Sequence, residues 1–225
     1  MKIAIVTGAS SGMGREFVRQ LGYFYKNLDE IWVIARRKER LEALAKESRV
    51  PLRIFAGDLQ KKKVYKELRD ALEKEQPDLR MLVNSAGFGK SGSVEEILSE
   101  KFRIQTDMVD VNCRALTAIT RLCLPYMLDD SLVINVASIA AFAPTPRMSV
   151  YSATKAYVLA LSKALHDELR PRGIKVLAVC PGPMDTDFWN VAGVPEGKSR
   201  LIDKLPREDP REVAEKSLRA AKRGK

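Results

Sequence analysis

The chain opens with a short apolar run that leads directly into a glycine-rich turn, Lys2-Ile3-Ala4-Ile5-Val6-Thr7-Gly8-Ala9-Ser10-Ser11-Gly12-Met13-Gly14. The apolar run is typical of a buried β-strand. Gly8 permits a tight turn after that strand, Gly12 allows the backbone to approach a diphosphate, and Gly14 allows a helix to pack closely. The N-terminus of the following helix then faces the phosphates. This stretch therefore predicts a strand, a turn and a helix that together bind a dinucleotide.

The same alternation of strand and helix continues along the chain. Its apolar runs are continuous, as expected for strands of a parallel sheet that helices cover on both faces. The predicted strands are Ile3–Thr7, Ile31–Ala35, Leu52–Ala56, Met81–Asn84, Leu132–Ala137 and Lys175–Cys180. The predicted helices are Gly14–Asn27, Lys38–Ser48, Lys61–Glu75, Phe102–Leu128, Ser152–Arg170 and Pro210–Lys222. We expect an α/β protein in three layers, a doubly wound parallel sheet (Rossmann fold) that forms a single domain over residues 1–225.

One long irregular stretch, about residues 182–207, follows the last predicted strand and is rich in proline and glycine. A loop of this length inside a compact domain is usually functional. We therefore expect it to form part of the substrate site.

Length and composition exclude several classes of protein. A chain of 225 residues with 45% hydrophobic residues can bury a core without metals or disulfides. The longest mostly apolar stretch, Leu132–Phe142, contains Asn135 and Ser138 and is too short to cross a bilayer. The strand-like start is too short for the apolar core of a signal peptide. We expect a soluble, cytoplasmic protein that does not bind membranes.

Charge and metal-ligating residues indicate neither a nucleic-acid site nor a metal site. The net charge is +10, but the basic residues are interleaved with glutamates, as in residues 36–42. This pattern favours a solvated surface over nucleic-acid binding and leaves anionic substrates or a nucleotide phosphate as the alternative. The three cysteines form no C-x-x-C pair, and the single histidine, His166, has no partner at metal-ligand spacing. We expect reduced cysteines and no metal.

The end of the second predicted strand indicates which dinucleotide binds. About 20 residues beyond the glycines, an NAD-binding chain places an acidic side chain that holds the ribose 2′-hydroxyl. Here the sequence reads Ile34-Ala35-Arg36-Arg37, with no carboxylate to repel a 2′-phosphate. Arg36 offers a planar donor fork that suits a phosphate, whereas Arg37 is expected to be a surface residue. The expected cofactor is NADP(H).

Two residues one helical turn apart, Tyr151 and Lys155, can move a proton. A free tyrosine has a pKa near 10, too high for proton exchange at neutral pH. We expect the ammonium group of Lys155 to lower the pKa of Tyr151 because it favours the phenolate. Ser138, just past the fifth predicted strand, can hydrogen-bond the same substrate oxygen. Together with a dinucleotide, these residues predict hydride transfer between a nicotinamide and a carbonyl.

Further motifs follow the predicted strands along essentially the whole chain. They are Asp58-Leu59, Asn84-Ser85-Ala86-Gly87, Asn112 in the long helix, Ser138, Tyr151-Ser152-Ala153-Thr154-Lys155, and Pro181-Gly182-Pro183-Met184-Asp185-Thr186. With the glycine-rich turn, this set resembles the short-chain dehydrogenase/reductase family in its common short-subunit form.

The resemblance implies roles for these positions. Asp58 would contact the adenine, Lys155 would also hold the nicotinamide ribose, Thr186 would lie near the nicotinamide carboxamide, and Asn112 would anchor a proton-relay water. The expected catalytic residues are Ser138, Tyr151, Lys155 and Asn112. The expected cofactor-binding residues are Gly8, Ser10, Ser11, Gly12, Met13, Gly14, Arg36, Asp58, Leu59, Asn84, Ala86, Gly87, Tyr151, Lys155, Pro181, Gly182 and Thr186.

The family also implies a homodimer or homotetramer, in which the two long helices pair with their symmetry mates. Ala153, Ala156, Ala160 and Ala164 form a small-residue stripe at helical spacing on the second of these helices. Packing of the same alanines on the sheet is the alternative explanation.

Two departures from the family pattern stand out. Ser85 replaces a second asparagine after the fourth predicted strand. The sequence also stops at Lys225, where the family adds a seventh strand and a C-terminal segment, and we expect the C-terminus to be incomplete.

The residues predict an NADP-dependent oxidoreductase that interconverts a carbonyl and a secondary alcohol. The expected substrate-pocket residues are Phe88, Phe142, Met148, Met184, Phe188 and Trp189, an apolar set that suits a hydrophobic ketone or a hydroxysteroid-like ligand. A 3-oxoacyl-thioester reductase is an alternative because its anionic carrier would suit the basic surface. A non-catalytic NADP-binding sensor or scaffold is an alternative from another class. A sugar epimerase is disfavoured by the glycine spacing.

Overall fold

All the predicted strands lie side by side in one parallel sheet in the computed structural model, which describes residues 1–93, 95–96, 103–144, 146–188, 192–193 and 206–223. The strands are β1 (Lys2–Thr7), β2 (Glu30–Ala35), β3 (Leu52–Ala56), β4 (Asp78–Asn84), β5 (Leu132–Val136) and β6 (Lys175–Val179). Their order across the sheet is β3-β2-β1-β4-β5-β6. The chain reverses direction across the sheet between β1 and β4, where α/β folds bind ligands. The predicted fold class is confirmed.

Helices flank this sheet. They are α1 (Gly12–Phe24), α2 (Lys38–Glu47), α3 (Lys62–Glu75), α4 (Ile104–Val109), α5 (Leu116–Cys123), α6 (Ser149–Leu169) and α7 (Pro210–Lys222). The predicted start of α7 is confirmed, since the Asp209 carboxylate accepts a hydrogen bond of 2.8 Å from Arg211 N and Pro210 occupies the first turn.

Successive residues of each strand face opposite sides of the sheet and build two apolar cores. Ala4 and Val6 of β1 pack with Phe17 and Leu21 of α1 in one core. Ile3, Ile5 and their neighbours pack with residues of α3 and α5 in the other, including Leu68 and Ile119. Burying one such side chain stabilises the fold by about 1.5–3 kcal/mol. The continuous apolar pattern of the strands follows from this two-sided burial.

The helix predicted over Phe102–Leu128 is not a regular α-helix. Within the described residues, α4 passes into a π-helical segment, Asp110–Ala115, before α5 begins, and a 3₁₀ turn, Leu124–Tyr126, follows α5. A π-helical turn widens the helix locally and often marks a functional residue. Here it contains Asn112. Phe102, the first residue of the predicted helix, lies outside the described residues.

None of the helices within the described residues is both long enough and apolar enough to cross a bilayer.

Candidate functional site

A cavity of about 870 Å³ lies at the carboxyl edge of the sheet, where the loops after the strands meet. Its lining residues are Gly8, Ser10, Ser11, Gly12, Met13, Ile34, Ala35, Arg36, Arg37, Gly57, Asp58, Leu59, Ser85, Ala86, Gly87, Phe88, Val111, Val136, Ala137, Ser138, Ile139, Ala140, Ala143, Pro144, Pro146, Met148, Tyr151, Lys155, Pro181, Gly182, Pro183, Met184, Thr186, Asp187 and Phe188. A cavity of this size and position suits a dinucleotide together with a small substrate.

The glycine-rich turn packs so tightly that two of its glycines have no room for a side chain. Gly8 has φ of +70°, and a Cβ there would lie 2.8 Å from the backbone of Ala86. A Cβ at Gly14 would lie 2.4 Å from the carbonyl oxygen of Gly8. Gly14 therefore allows close packing and does not line the cavity. Helix α1 begins at Gly12, two residues before the predicted start.

Thr7, which the sequence did not single out, joins the ends of β1 and β4. Its hydroxyl accepts hydrogen bonds of 3.1 Å from both Ser85 N and Ala86 N. The side chain is 2% exposed, so these bonds are shielded from water. They fix the loop after β4 against the glycine-rich turn, which brings two walls of the cavity together.

Asn84, an expected cofactor-binding residue, does not line the cavity. Its side chain is 3% exposed and points into the protein, where Nδ2 donates to Thr120 Oγ1 at 3.0 Å and to Asn135 Oδ1 at 2.9 Å. Asn135 Nδ2 donates in turn to Ser162 Oγ at 2.9 Å. The Asn84 side chain is therefore not directed at the cofactor site, because it ties β4 and β5 to α5 and α6.

Three arginines gather where β2 ends, at the side of the cavity that would hold the adenosine of a dinucleotide, the adenosine end. Arg36 is exposed, lines the cavity and forms no ion pair with any described residue. Arg37, expected at the open surface, donates to Ser11 Oγ at 2.7 Å and to Ser10 Oγ at 3.3 Å. Arg40, from the first turn of α2, lies beside it. Planar guanidinium groups beside hydroxyls suit a phosphate monoester.

A carboxylate nevertheless reaches this end of the cavity from a distant loop. Asp187 Oδ2 lies 2.7 Å from Arg40 Nη1 and 3.6 Å from Arg37 Nη1. The hydrogen bond from Arg40 lowers the pKa of Asp187 below its ordinary value. The sequence did not reveal this carboxylate, because no local pattern relates residue 187 to the end of β2.

The expected catalytic residues meet where β5 ends. Lys155 is 7% exposed, and its Nζ donates a hydrogen bond of 2.8 Å to the carbonyl oxygen of Val136. Ser138 follows β5, is also 7% exposed and accepts a hydrogen bond of 3.2 Å from Ala140 N. Ser138 is close enough to Tyr151 to act on the pKa of its hydroxyl. Tyr151 and Lys155 both belong to α6, one turn apart.

The expected effect of Lys155 on Tyr151 is wrong for this structure. Burial raises the pKa of Tyr151 to about 12, and the hydrogen bond from Ser138 opposes that rise only in part. Burial also lowers the pKa of Lys155 to about 8. Desolvation disfavours the charged form of each group. The lysine Nζ lies 5.7 Å from the centre of the tyrosine ring and bonds to Val136. Tyr151 is therefore neutral at physiological pH.

Asn112 connects the catalytic helix to the loop after β4. Its Oδ1 accepts a hydrogen bond of 3.0 Å from Phe88 N, and its Nδ2 donates to Phe88 O at 2.9 Å and to Thr154 Oγ1 at 3.0 Å. Asn112 does not line the cavity itself. A Cβ at Gly87 would lie 3.0 Å from Asn112 Oδ1 and 3.6 Å from Lys155 Nζ. Both polar atoms therefore adjoin the space beside Gly87.

The opposite end of the cavity is apolar. Four of the expected substrate-pocket residues line it, namely Phe88, Met148, Met184 and Phe188. Phe142 does not line it and is 66% exposed, because the 3₁₀ turn after Ser138 directs it outward. Trp189 lies outside the described residues.

Phe188 packs directly on the candidate proton donor. Its ring centre lies 5.4 Å from that of Tyr151. A Cβ at Gly89 would lie 2.7 Å from Phe188 Cζ and 3.0 Å from Tyr151 Cδ2. Only glycine at position 89 therefore lets both rings keep these positions.

The segment that follows β6 is held from both ends. Pro181 O accepts a hydrogen bond of 3.1 Å from Ile139 N, and Gly182 N donates to Glu208 Oε2 at 2.8 Å. Glu208 was not expected at the site. Its backbone also bonds to Pro183 and Asp185, which closes the base of the predicted substrate loop.

Comparison with known proteins agrees with this geometry. A family model described as short chain dehydrogenase matches residues 2–195. The chain is similar to an uncharacterized oxidoreductase of Staphylococcus epidermidis, with 32% identity over 187 residues that cover 82% of this chain and 79% of the relative.

Three solved structures illustrate the structural likeness. A short-chain dehydrogenase from Sphingobium yanoikuyae in complex with NADPH has a TM-score of 0.84 and 28% identity, covering 100% of this chain and 86% of that one. A bulky-bulky ketone specific alcohol dehydrogenase from Comamonas testosteroni has a TM-score of 0.79 and 28% identity, covering 100% and 84%. A 3-ketoacyl-(acyl-carrier-protein) reductase from Brucella melitensis complexed with NADH has a TM-score of 0.82 and 27% identity, covering 98% and 90%.

The buried ammonium group yields a stability prediction. Because the pKa of Lys155 is about 8 in the folded chain, below its ordinary 10.5, the charged group opposes folding at pH 7. Lys155→Met should therefore raise the free energy of unfolding at pH 7 by about 1–3 kcal/mol. The unfolded lysine loses its proton above pH 10.5, so the gain should shrink as the pH rises from 8 towards 10.5. Urea unfolding at several pH values measures both effects.

Lys163→Met provides the matched control, since Lys163 is exposed on the same helix. Its effect should stay within about 0.5 kcal/mol. A Lys155→Met chain that is less stable than the parent at pH 7 would contradict the account of a desolvated lysine.

Proposed function

The chain belongs to the short-chain dehydrogenase family, and we propose that it is an NADP-dependent oxidoreductase that interconverts an apolar ketone and its secondary alcohol. The observation that carries the proposal is the convergence of Ser138, Tyr151 and Lys155 in one cavity. That cavity has arginines at its adenosine end and an apolar wall beside Tyr151. A cofactor and a carbonyl can therefore meet at a proton donor.

The residues present fit a nicotinamide dinucleotide. The backbone of the glycine-rich turn and the N-terminus of α1 would hold the diphosphate. Asp58 and Leu59 line the adenosine end, and Arg36 would bind the 2′-phosphate. When bound, the nicotinamide supplies a hydride to a carbonyl carbon or takes one from an alcohol.

Residues of the chain itself transfer the proton. In reduction, the Tyr151 hydroxyl would give its proton to the carbonyl oxygen while Ser138 donates a hydrogen bond to the same oxygen. A water beside Gly87, held by the remaining lone pair of Asn112 Oδ1, would then return a proton to the phenolate through Lys155. Because burial raises the pKa of Tyr151 to about 12, the resting form is the neutral acid that reduction requires.

The apolar wall indicates the substrate class. The lining residues include Phe88, Met148, Met184 and Phe188, and Phe188 packs on Tyr151. None of these side chains can pair with a carboxylate or a phosphate, so we propose a moderately apolar or hydroxysteroid-like ketone. A 3-oxoacyl thioester remains the second candidate, because the net charge of +10 suits an anionic carrier.

The first prediction concerns the proton donor. Tyr151→Phe deletes only a hydroxyl, so folding and cofactor affinity should persist. Turnover should fall by at least about 10²-fold, the loss expected for a general acid. Steady-state oxidation of NADPH with an apolar ketone measures turnover, and fluorescence titration measures affinity. Tyr23→Phe, on the exposed face of α1, is the matched control and should behave as wild type. Near-normal turnover by Tyr151→Phe would rule out the assigned mechanism.

The second prediction concerns the 2′-phosphate. Arg36→Ala should weaken NADPH binding by about 1.5–3 kcal/mol, the range for losing a charge-assisted hydrogen bond, and should scarcely affect NADH. Titration of both cofactors with the wild type and with this variant tests the assignment. Arg69→Ala, on α3, should change neither affinity. Equal losses for NADPH and NADH in Arg36→Ala would remove the argument for NADP.

The third prediction concerns assembly. Ala153, Ala156, Ala160 and Ala164 of α6 are exposed, so in the single chain they do not pack on the sheet. We propose that this face, together with the exposed Tyr157, forms a homodimer or homotetramer contact. Sedimentation at micromolar concentration should find an oligomer for the wild type and a smaller species for Ala156→Arg. Ala43→Arg, at an exposed alanine of α2, should sediment as wild type. A monomeric wild type would contradict the proposal.

A further inference from the structure

The adenosine end of the cavity contains one feature that the proposed function does not use. Asp187 belongs to the loop after β6, yet its carboxylate contacts Arg40 and lies near Arg37 at the adenosine end of the cavity. These two arginines would join Arg36 in binding a phosphate monoester. The carboxylate and a 2′-phosphate therefore require the same donors.

We propose that Asp187 is a specificity-determining residue that competes with the 2′-phosphate for Arg37 and Arg40 and so limits the preference for NADPH over NADH. The inference rests on the proposed function, because it supposes that the 2′-phosphate binds at this end of the cavity.

The geometry supports competition. Arg40 Nη1 lies 2.7 Å from Asp187 Oδ2, which is a full hydrogen-bonded ion pair. Arg37 is shared, since its Nη1 lies 3.6 Å from Asp187 Oδ2 while its Nη2 donates to Ser11 Oγ at 2.7 Å. Among the charged residues that line the cavity at this end, Asp187 and Asp58 are the acids. Asp187 is the acid that contacts the arginines.

Charge determines the sign of the effect. A phosphate monoester carries a charge of about −1.5 to −2 at neutral pH. The Asp187 carboxylate therefore repels the phosphate and also occupies the arginines that would bind it. NADH has a hydroxyl at the ribose 2′ position, so neither effect changes its affinity. Removing the charge of Asp187 should therefore favour NADPH alone. Because the carboxylate and both guanidinium groups are about half exposed, solvent screens the interaction and the effect should be moderate.

The test compares four chains, the wild type, Asp187→Asn, Asp187→Glu and Asp185→Asn. Asp185 lies in the same loop, is 84% exposed and is 3.9 Å from Arg207 rather than beside the cluster, so it serves as the matched control. Fluorescence titration gives the affinities for NADPH and NADH. Calorimetry with adenosine 2′-monophosphate and adenosine 5′-monophosphate examines the adenosine end without the nicotinamide.

Asp187→Asn should bind NADPH and adenosine 2′-monophosphate about two- to tenfold more tightly, the size of effect expected from a half-exposed ion pair and one like-charge repulsion. NADH and adenosine 5′-monophosphate should be unchanged, and Asp187→Glu should restore wild-type values. Asp185→Asn should alter neither the ratio of the NADPH and NADH affinities nor the ratio of the affinities for the two adenosine monophosphates. The inference is overturned if Asp187→Asn binds NADPH no more tightly, if NADH tightens equally, or if the ratio changes only because NADH weakens.

These outcomes separate the inference from the function on which it rests. If the wild type prefers NADPH and Asp187→Asn has the same ratio of NADPH and NADH affinities, only the inference is overturned. A wild type without a preference that acquires one in Asp187→Asn overturns the proposed NADP preference and supports the inference.

Discussion

A buried ammonium group at the carboxyl edge of the sheet sets the geometry of the candidate active site. Lys155 has almost no contact with solvent and donates to the carbonyl oxygen of Val136 at 2.8 Å. Desolvating a charge is costly, so the strand and the helix must keep this separation. The Asn135–Ser162 hydrogen bond, at 2.9 Å, holds β5 to α6 about two turns further along the helix. Tyr151 and Ser138 take their positions from this alignment.

The two ends of the cavity differ in the physical chemistry that they offer. The adenosine end has guanidinium groups, hydroxyls and a carboxylate within hydrogen-bonding distance of one another. The end beside Tyr151 is formed by aromatic and thioether side chains. A charged cofactor is therefore oriented by one end, and the reacting carbonyl enters a region of low polarity. In such a region the proton donor stays neutral until the carbonyl oxygen develops negative charge.

Much of the fold was predictable because each strand is buried on both faces and each turn uses local chemistry. The β3 bounds and the α7 bounds agree residue for residue with the apolar pattern and the capping residues. The glycine-rich turn was also readable, since Gly8 and Gly14 lack room for a side chain. Ser138, Tyr151 and Lys155 could be chosen because their spacing relates them to a strand end and to a helix face.

What the sequence did not reveal depends on contacts between distant segments. Asp187 reaches Arg40 across 147 positions of sequence, and no periodicity encodes that contact. Asn84 and Phe142 were misplaced because a motif names a residue without stating which way its side chain points. The direction of the Tyr151 pKa shift was wrong because burial, which raises it, depends on packing that a sequence does not display.

Deuterium transfer shows whether the chain moves a hydride between NADPH and an apolar ketone. The chain would be incubated with an apolar ketone and NADPH that carries deuterium at the transferring C4 position, and the product would be analysed by mass spectrometry. The account predicts an alcohol with one deuterium on the carbinol carbon, and slower conversion of a ketone of the same size that bears a carboxylate. No labelled alcohol from any apolar ketone, or faster conversion of the carboxylated ketones, would contradict it.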